Sequence, residues 1–579
     1  MALSGNEALK DASNYLRGTI LEGLANSASG SLSDDDQKLT KFHGTYQQDD
    51  RDLRRERRKK KLEPAYSFMI RVRAPGGVAT PQQWLDMDRL AHEYASGALK
   101  ITTRQTFQFH GVIKSNLKRT IYEINQALYD TLAACGDVNR NVICNPNPVQ
   151  SQVRDEVNEL ANRLSSHLLP RSTSYHDIWI GDESGEQIKV TQDPPLVGEP
   201  ADEVEPIYGK HYLPRKFKIV VAVPPSNDVD VYAHDLGFIA ILNEAQDQIV
   251  GYNVTVGGGM GMTHGNEATF PRLGDLMGFC TPDQALAVAE SVLRVQRDHG
   301  NREDRANARL KYTVERLGLD RFRSEVEALL GTQLEEPRPF AFESNGDPYG
   351  WTQDHLGNWH YCLYIESGRV HDRPDYPLMT GLREIAKVHE GEFWMTANQN
   401  LIVANISPEA KPRIEAMLKE YGMFDSIARS ALRLHSISCV ALPSCALALA
   451  EAQRFLPSLV GELEEVLEEA GLRHDAITIR MTGCPNGCAR PYIAEIAFVG
   501  KGPDTYNIYL GAGFAGDRLN KLYRTAVKGG EIKEILRPVI LDYAKNRLPG
   551  ERFGDFTIRA GYVTACENGR DFHKELVAV

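Results

Sequence analysis

The chain has 579 residues, 42% of them hydrophobic and 25% charged, with a formal net charge of −12. That length argues for roughly three or four domains with ordinary soluble cores, and the acidic balance argues against a general nucleic-acid binder. No run approaches the ~18 apolar residues of a membrane span, and the N-terminus lacks the charged flank and apolar core of a signal peptide, so a cytoplasmic protein without a membrane partner is expected.

In chain order, residues 1–64 read as an arm. Gly5 to Leu24 has helical spacing, Ser27 to Asp36 is a polar linker, and Arg51 to Lys61 holds eight basic residues in eleven. The basic run reads either as a solvated face or nuclear-type signal, or as a docking surface for an acidic partner. Tyr66 to Val72 is a predicted strand, Pro75-Gly76-Gly77 a turn, Pro81 to Ala95 an amphipathic helix, and 99–102 with 106–112 a strand pair. The order recurs: Trp359 to Glu366 a strand, Met379 to His389 a helix, Glu392 to Ala404 a strand pair.

The two stretches align with Gly, Thr and Gln shared at 97/391, 102/396 and 105/399, which together with the element order predicts an internal duplication. Between the copies, Pro214 to Val223 and Gln248 to Val256 are predicted strands and Pro282 to Asp298 a helix. A helix near Gly530 to Asn546 and a strand at Phe556 to Ala560 follow the second copy. The fold class expected is α+β, a pseudo-two-fold duplicated molecule with a cleft between its halves.

Nine cysteines sit at 135, 144, 280, 362, 439, 445, 484, 488 and 566. An odd count without a signal peptide indicates reduced thiols. Four form two tight pairs, Cys439-x5-Cys445 and Cys484-Pro-Asn-Gly-Cys488. Four soft thiolates suit a structural zinc or an iron–sulfur cluster, and the spacings are wider than the C-x2-C of zinc ribbons, which favours the bulkier cluster. Zinc and unrelated buried cysteines remain alternatives on spacing alone. The other five cysteines read as packing residues.

Strand geometry sends residues i and i+2 to one face, so Lys216 and Lys218 project together with Phe217 turned away. Lys100, Arg104 and Gln108 share one alternating face of the first copy, and Asn398 and Asn400 hold the equivalent place in the second. Gly257 to Gly265 follows a strand but opens no helix, so it reads as a loop approaching a ligand, not a dinucleotide fingerprint.

Thr482-Gly-Cys-Pro-Asn-Gly-Cys488 with Cys439-x5-Cys445 resembles the cluster signature of siroheme-containing sulfite and nitrite reductases. The resemblance extends through Lys41 to Arg51, Arg71 to Gly77, Thr103 to His110, Asn139 to Asn141, Leu213 to Lys218 and Thr396 to Asn400, nearly the whole chain. It implies a sulfite/nitrite reductase fold with ferredoxin-like repeat halves at 65–135 and 336–410, a first siroheme-binding α/β domain at 136–335, and a [4Fe–4S]/siroheme domain at 411–579. It also implies that Cys439, Cys445, Cys484 and Cys488 ligate a [4Fe–4S] cluster, with Cys488 also the axial thiolate of the siroheme.

By motif position, Arg71, Arg140, Lys216 and Lys218 match the anion-binding residues of the family. The expectation is that the arginines clamp sulfite and the lysines also deliver protons. Siroheme carries eight carboxylates, for which Lys100, Arg104, Gln108, Asn398, Asn400, Arg309 and Lys311 are the candidates. No flavin or NADPH fingerprint appears, so electrons are expected from another protein. The arm and length resemble hemoprotein subunits fed by an NADPH-dependent flavoprotein carrying FAD and FMN, in a hetero-oligomer, with ferredoxin the alternative donor. Lys218 stands where the nitrite enzymes' pattern has Asn, which favours sulfite.

Overall fold

The structure is a computed structural model that describes residues 3–181 and 205–574. The largely buried strands Tyr66–Arg71, Phe107–Val112 and Leu99–Ile101 build an antiparallel sheet in the order Thr45–Asp49, Tyr66–Arg71, Phe107–Val112, Leu99–Ile101, Arg369–Val370. Its counterpart runs Gly350–Gln353, Trp359–Leu363, Leu401–Ile406, Glu392–Met395, Val78–Ala79. Each sheet's fifth strand is therefore donated by the other copy. The helix Pro81–Tyr94, opened by a Thr80/Gln83 capping box, lies against its counterpart Leu378–Ala386. Trp84 stacks on Phe393 with centroids 4.9 Å apart, and Arg383 Nε donates to Asp88 Oδ2 at 2.5 Å, so packing and charge both cross between the copies.

The shared residues have structural reasons. Thr102 Oγ1 accepts from Arg104 N, and Thr396 Oγ1 from Asn398 N, at 3.1 and 3.2 Å. Gln105 and Gln399 both take left-handed backbone (φ 50° and 72°). Gln105 Oε1 accepts from Cys144 N at 2.9 Å and Gln399 Oε1 from Ser438 N at 3.1 Å, tying each ferredoxin-like unit to the adjoining sheet.

Those adjoining sheets are duplicated too. One runs Ile143–Cys144, Ile219–Ala222, Leu236–Leu242, Ile249–Val256, Asp275–Cys280; the other runs Ser436–Ser438, Ile479–Thr482, Ile496–Gly502, Thr505–Leu510, Lys521–Lys528. In both, the first two pairings are parallel and the last two antiparallel. In each, a residue with φ 52° (Asp230 or Arg490) opens a short 3-10 turn before the third strand. These equivalent residues meet. Asp230, fully buried, accepts from Arg490 Nε and from Arg480 Nη1, the latter at 2.6 Å.

Three expectations change. Residues 1–64 are not a detached arm: Thr45–Asp49 is a sheet strand, and Leu16, Ile20, Leu32, Leu39 and Phe42 join the main core. The expected helix over 5–24 splits into Gly5–Ala12 and Ile20–Ala25, separated by left-handed Asn14, Tyr15 and Leu16, and part of the expected linker is the helix Asp34–Leu39, capped by Ser33. Phe556 to Ala560 belongs to a helix, Phe553–Arg559, because Phe553 and Phe556 lie one turn apart and both pack on Tyr543.

Replacing Asp230 by Ala strands two buried guanidiniums and should lower unfolding free energy by about 3–5 kcal/mol. An unchanged urea midpoint would refute this account of the interface. The N-terminal segment adds a pH dependence. His43 is buried against Tyr175, its Nε2 donates to Leu16 O at 3.0 Å, and burial lowers its pKa from 6.5 to about 4. Protons therefore bind the unfolded chain first, so stability should fall as pH drops from about 6.5 towards 4. His43→Gln should flatten that limb by about one proton, read from urea titrations at stepped pH.

Candidate functional site

The register of the first sheet sets Arg71 opposite Gln108, Gln108 opposite Lys100, and Lys100 opposite Arg369. Arg71, Gln108 and Lys100 line one side of a cavity of about 200 Å³ between the sheets. With its amide oriented by its neighbours, Gln108 Oε1 accepts from Arg71 Nη2 and Nε at 2.6 and 2.7 Å. Arg71 Nη1 donates to Cys135 Sγ at 3.0 Å. Lys100 Nζ donates to Ser367 O and, at 3.0 Å, to Gln453 Oε1; burial lowers its pKa to about 7.

Arg104 enters from the Thr102–Thr106 turn. Its Nη1 lies 3.1 Å from His234 Nδ1, its Nη2 donates to Asn141 O, and its buried Nε has no partner. Burial lowers its pKa to about 9. Asn141 fixes this corner, its Nδ2 donating to Ala74 O and Arg104 O at 2.9 and 2.8 Å.

The first α/β unit supplies Arg140, Lys216 and Lys218. Arg140 N donates to Phe217 O at 3.0 Å, and its Nη2 donates to Gly136 O at 3.1 Å. Lys216 and Lys218 both face the cavity while Phe217 lies in the core, as alternation predicts. Neither ammonium has a hydrogen bond or ion pair among the described residues. Burial, then neighbouring cations, holds both pKa values well below the ordinary lysine range.

The second α/β unit supplies the thiols. Cys439 directly follows the strand Ser436–Ser438, and Cys484 to Cys488 follow Ile479–Thr482, so all four cysteines reach the same cavity. Gly483 N donates to Cys439 Sγ at 3.3 Å, Asn486 Nδ2 to Cys484 Sγ at 3.5 Å, and Thr103 Oγ1 to Cys488 O at 3.1 Å. Cys488 is the exposed member of the four.

Four expected contacts stand elsewhere, and the duplication explains two of them. Asn398 and Asn400 occupy the place equivalent to the first copy's turn, but they do not line this cavity. Both donate to Asp347, at 2.9 and 2.7 Å, and Asn398 also donates to Asp228 O. Arg309 is spent on Asp235, its Nη2 lying 2.9 Å from both carboxylate oxygens. Lys311 Nζ donates to the carbonyls of Gly259, Gly261 and Phe270. The two therefore support the glycine loop from behind. That loop lies against the cysteine turn, with Met262 N donating to Pro485 O at 2.9 Å, and a Cβ on Gly261 would sit 3.1 Å from Asn486 O.

Sequence reasoning missed Arg490, which lines the cavity while its Nη1 donates to Thr103 O at 3.1 Å. It also missed Cys135 beside Arg71. Arg490's place two residues after Cys488 was the available signal; Cys135 had none.

The lining suits the cofactors named earlier. Seven cations line the cavity (Arg71, Lys100, Arg104, Arg140, Lys216, Lys218 and Arg490) with no carboxylate among the lining residues, and Arg104 Nε is an orphaned donor. Arg490 is paired with Asp230, but the other six have no ion pair among the described residues. Buried positive charge without a counter-charge is costly, so a polyanionic ligand is the natural complement. Four thiolates around one zinc sit about 3.8 Å apart, from Zn–S of about 2.3 Å. Among the described residues no three His, Cys, Asp or Glu side chains gather tightly enough for a single ion. A cluster gives each thiolate its own iron and tolerates the wider spread. Burial raises the Cys484 thiol to about 12, so ligation must also expel protons.

Comparison with known proteins agrees. The nitrite/sulfite reductase ferredoxin-like half domain matches residues 60–127 and 352–421, the two copies that exchange strands. The nitrite and sulphite reductase 4Fe-4S domain matches 160–334, the first α/β unit; the cysteines lie in that unit's structural repeat. The sulfite reductase (NADPH) hemoprotein beta-component of Staphylococcus haemolyticus is 56% identical, over 99% of this chain and 97% of its own length. The protein of the same name from Geobacillus kaustophilus is 58% identical, over 98% and 97%. The structure of the Mycobacterium tuberculosis NirA protein shares the fold, with a TM-score of 0.77 over 97% of each chain at 24% identity. The chain belongs to the nitrite and sulphite reductase family, among its sulfite reductase hemoprotein beta-components.

Proposed function

We infer that this chain is an assimilatory sulfite reductase hemoprotein, which carries out the six-electron reduction of sulfite to sulfide. The observation that carries the reading is the juxtaposition of seven cations and four thiols around one cavity that has no carboxylate in its lining. Siroheme coupled to a [4Fe–4S] cluster would supply the metal centre and the relay for electrons that arrive from the donor protein. Cys439, Cys445 and Cys484 would hold the cluster, and Cys488, the exposed thiol, would join it to the siroheme. Lys100, Arg104 and Arg490 stand where they can neutralise siroheme carboxylates.

The chain's own residues then do three things. Arg71, fixed by Gln108 and Cys135, and Arg140, fixed by the Gly136 carbonyl, present planar donors to the oxyanion. Lys216 and Lys218 neutralise its charge. Their lowered proton affinity makes each Nζ a ready donor to oxygens that leave as water. A second lysine where the nitrite pattern has Asn suits the more highly charged anion. The chain would work in the cytoplasm, where its nine free cysteines stay reduced, with an NADPH-dependent flavoprotein subunit as electron donor.

Anaerobic sulfide production with reduced methyl viologen tests the activity, and a much higher kcat/KM for nitrite than for sulfite would overturn the substrate assignment. Lys218→Met should lower kcat/KM for sulfite by about 10²–10³-fold with the siroheme absorption intact, since one preorganised charged donor is lost. Cys439→Ser and Cys484→Ser should each lose most iron and acid-labile sulfide. Full retention in both would remove the cluster assignment.

A further inference from the structure

The basic run at 51–61 is not absorbed by the chemistry of the cavity, yet the fold fastens it to the cysteine loop. Arg51 N donates to Pro443 O at 3.3 Å, and Arg51 Nη1 donates to Ala448 O at 2.5 Å and Cys445 O at 3.4 Å. Arg454 Nη1 pairs with Asp52 Oδ2 at 2.7 Å. These four contacts hold the following helix, Arg54–Lys59, beside the loop that carries Cys445.

That helix buries no residue. Arg54 is paired with Asp49, and Lys60 with Glu56. Arg55, Arg58, Lys59 and Lys61 are exposed, and their side chains have no ion pair or hydrogen bond among the described residues. A helical rise of about 1.5 Å per residue puts Arg55 and Arg58 roughly 6–11 Å of chain from Arg51, within two turns of the tether. Leu447, two residues from Cys445 and 66% exposed, stands at the rim of the cavity it lines, and Leu53 and Leu62 are exposed on the helix flanks. In a chain of net charge −12, this is a concentrated run of exposed positive charge flanked by exposed leucines.

We propose that Arg55, Arg58, Lys59, Lys61 and the flanking Leu62 form the docking surface for an acidic, flavodoxin-like electron-donor domain, which seats over the loop carrying Cys445. The proposal rests on the sulfite reductase reading above. Unpaired cations beside an exposed leucine suit an acidic carrier: the charges steer encounter, and the leucine gives a small, quickly released contact. Position selects the occupant, because a nucleic acid or an acidic membrane would gain nothing from lying against the cysteine loop.

The test uses the holoprotein with siroheme and cluster in place. Arg55→Glu/Arg58→Glu/Lys59→Glu and, separately, Leu62→Asp are assayed for sulfide formation with the NADPH-reduced flavoprotein component and with reduced methyl viologen. The charge-reversal variant should lose at least tenfold in kcat/KM for the flavoprotein and flatten the dependence on ionic strength, while the methyl viologen rate holds within twofold. Leu62→Asp should raise KM for the flavoprotein with the same viologen control. Unchanged flavoprotein kinetics and salt slope in both variants would overturn the docking surface. In a parallel assay with reduced ferredoxin, a loss by the charge-reversal variant with ferredoxin but none with the flavoprotein would overturn the flavodoxin-like occupant. A wild-type protein inactive on sulfite with methyl viologen would instead overturn the functional reading.

Discussion

One buried carboxylate holds the two halves in register. Asp230 comes from the first α/β unit, and both guanidiniums that neutralise it, Arg480 and Arg490, come from the second. Asp230 and Arg490 occupy equivalent places in the duplicated unit, so the contact lies where the halves' pseudo-symmetry brings like positions together. It fixes the segment after Ile219–Ala222 against the segment after Ile479–Thr482. Lys216 and Lys218 are carried just before the first of these strands, and Cys484 to Cys488 follow the second. The lysine side and the thiol side of the cavity are thus set by a charge interaction whose carboxylate lies outside the lining, with Arg490 its one member inside.

Duplication supplies two equivalent places, and the side chains make them unequal. Arg104 in the first copy corresponds to Asn398 in the second, and the αL residue Asp230 to Arg490. Counting back two residues from that pair sets Asp228 opposite Cys488. Around the first place the unpaired groups are cations. Around the second, Asp347 accepts from Thr396, Asn398 and Asn400, while Asp228 keeps two buried oxygens without partners. Desolvation raises the pKa of both acids, Asp228 the more. The two places thus differ in the sign of their ionisable groups, cations around one and acids around the other, although the strand pairing is the same.

Much of this was legible in the chain. The Thr and Gln identities at 102/396 and 105/399 survived because each closes a turn or clamps a neighbouring strand, roles that other residue types fill poorly. The period of two at Lys216 and Lys218 placed both ammoniums correctly. The strand exchange was not legible, because two-residue strands such as Val78–Ala79 carry no periodicity. The second duplication keeps Ile219/479, Pro225/485, Tyr232/492 and Phe238/498 at the offset that pairs Asp230 with Arg490, but such scattered identities become readable only beside the matching pairing polarity and backbone sign. Asn398 and Asn400 were misplaced by the same repeat that revealed the fold: equivalence of position does not bring equivalence of surroundings. Arg309 and Lys311 have the right charge but are spent on Asp235 and on loop carbonyls, a competition that only tertiary contacts disclose.

The exchanged strands also set the order in which the molecule can be completed during synthesis. Leu99–Ile101 waits for Arg369–Val370 as its last neighbour, and until then it presents an open edge to any other strand. At ribosomal rates of about 5–20 residues per second, the missing strand emerges roughly 15–50 s later. The nascent N-terminal half therefore passes that interval incomplete, and folding of the two halves closes as one late event.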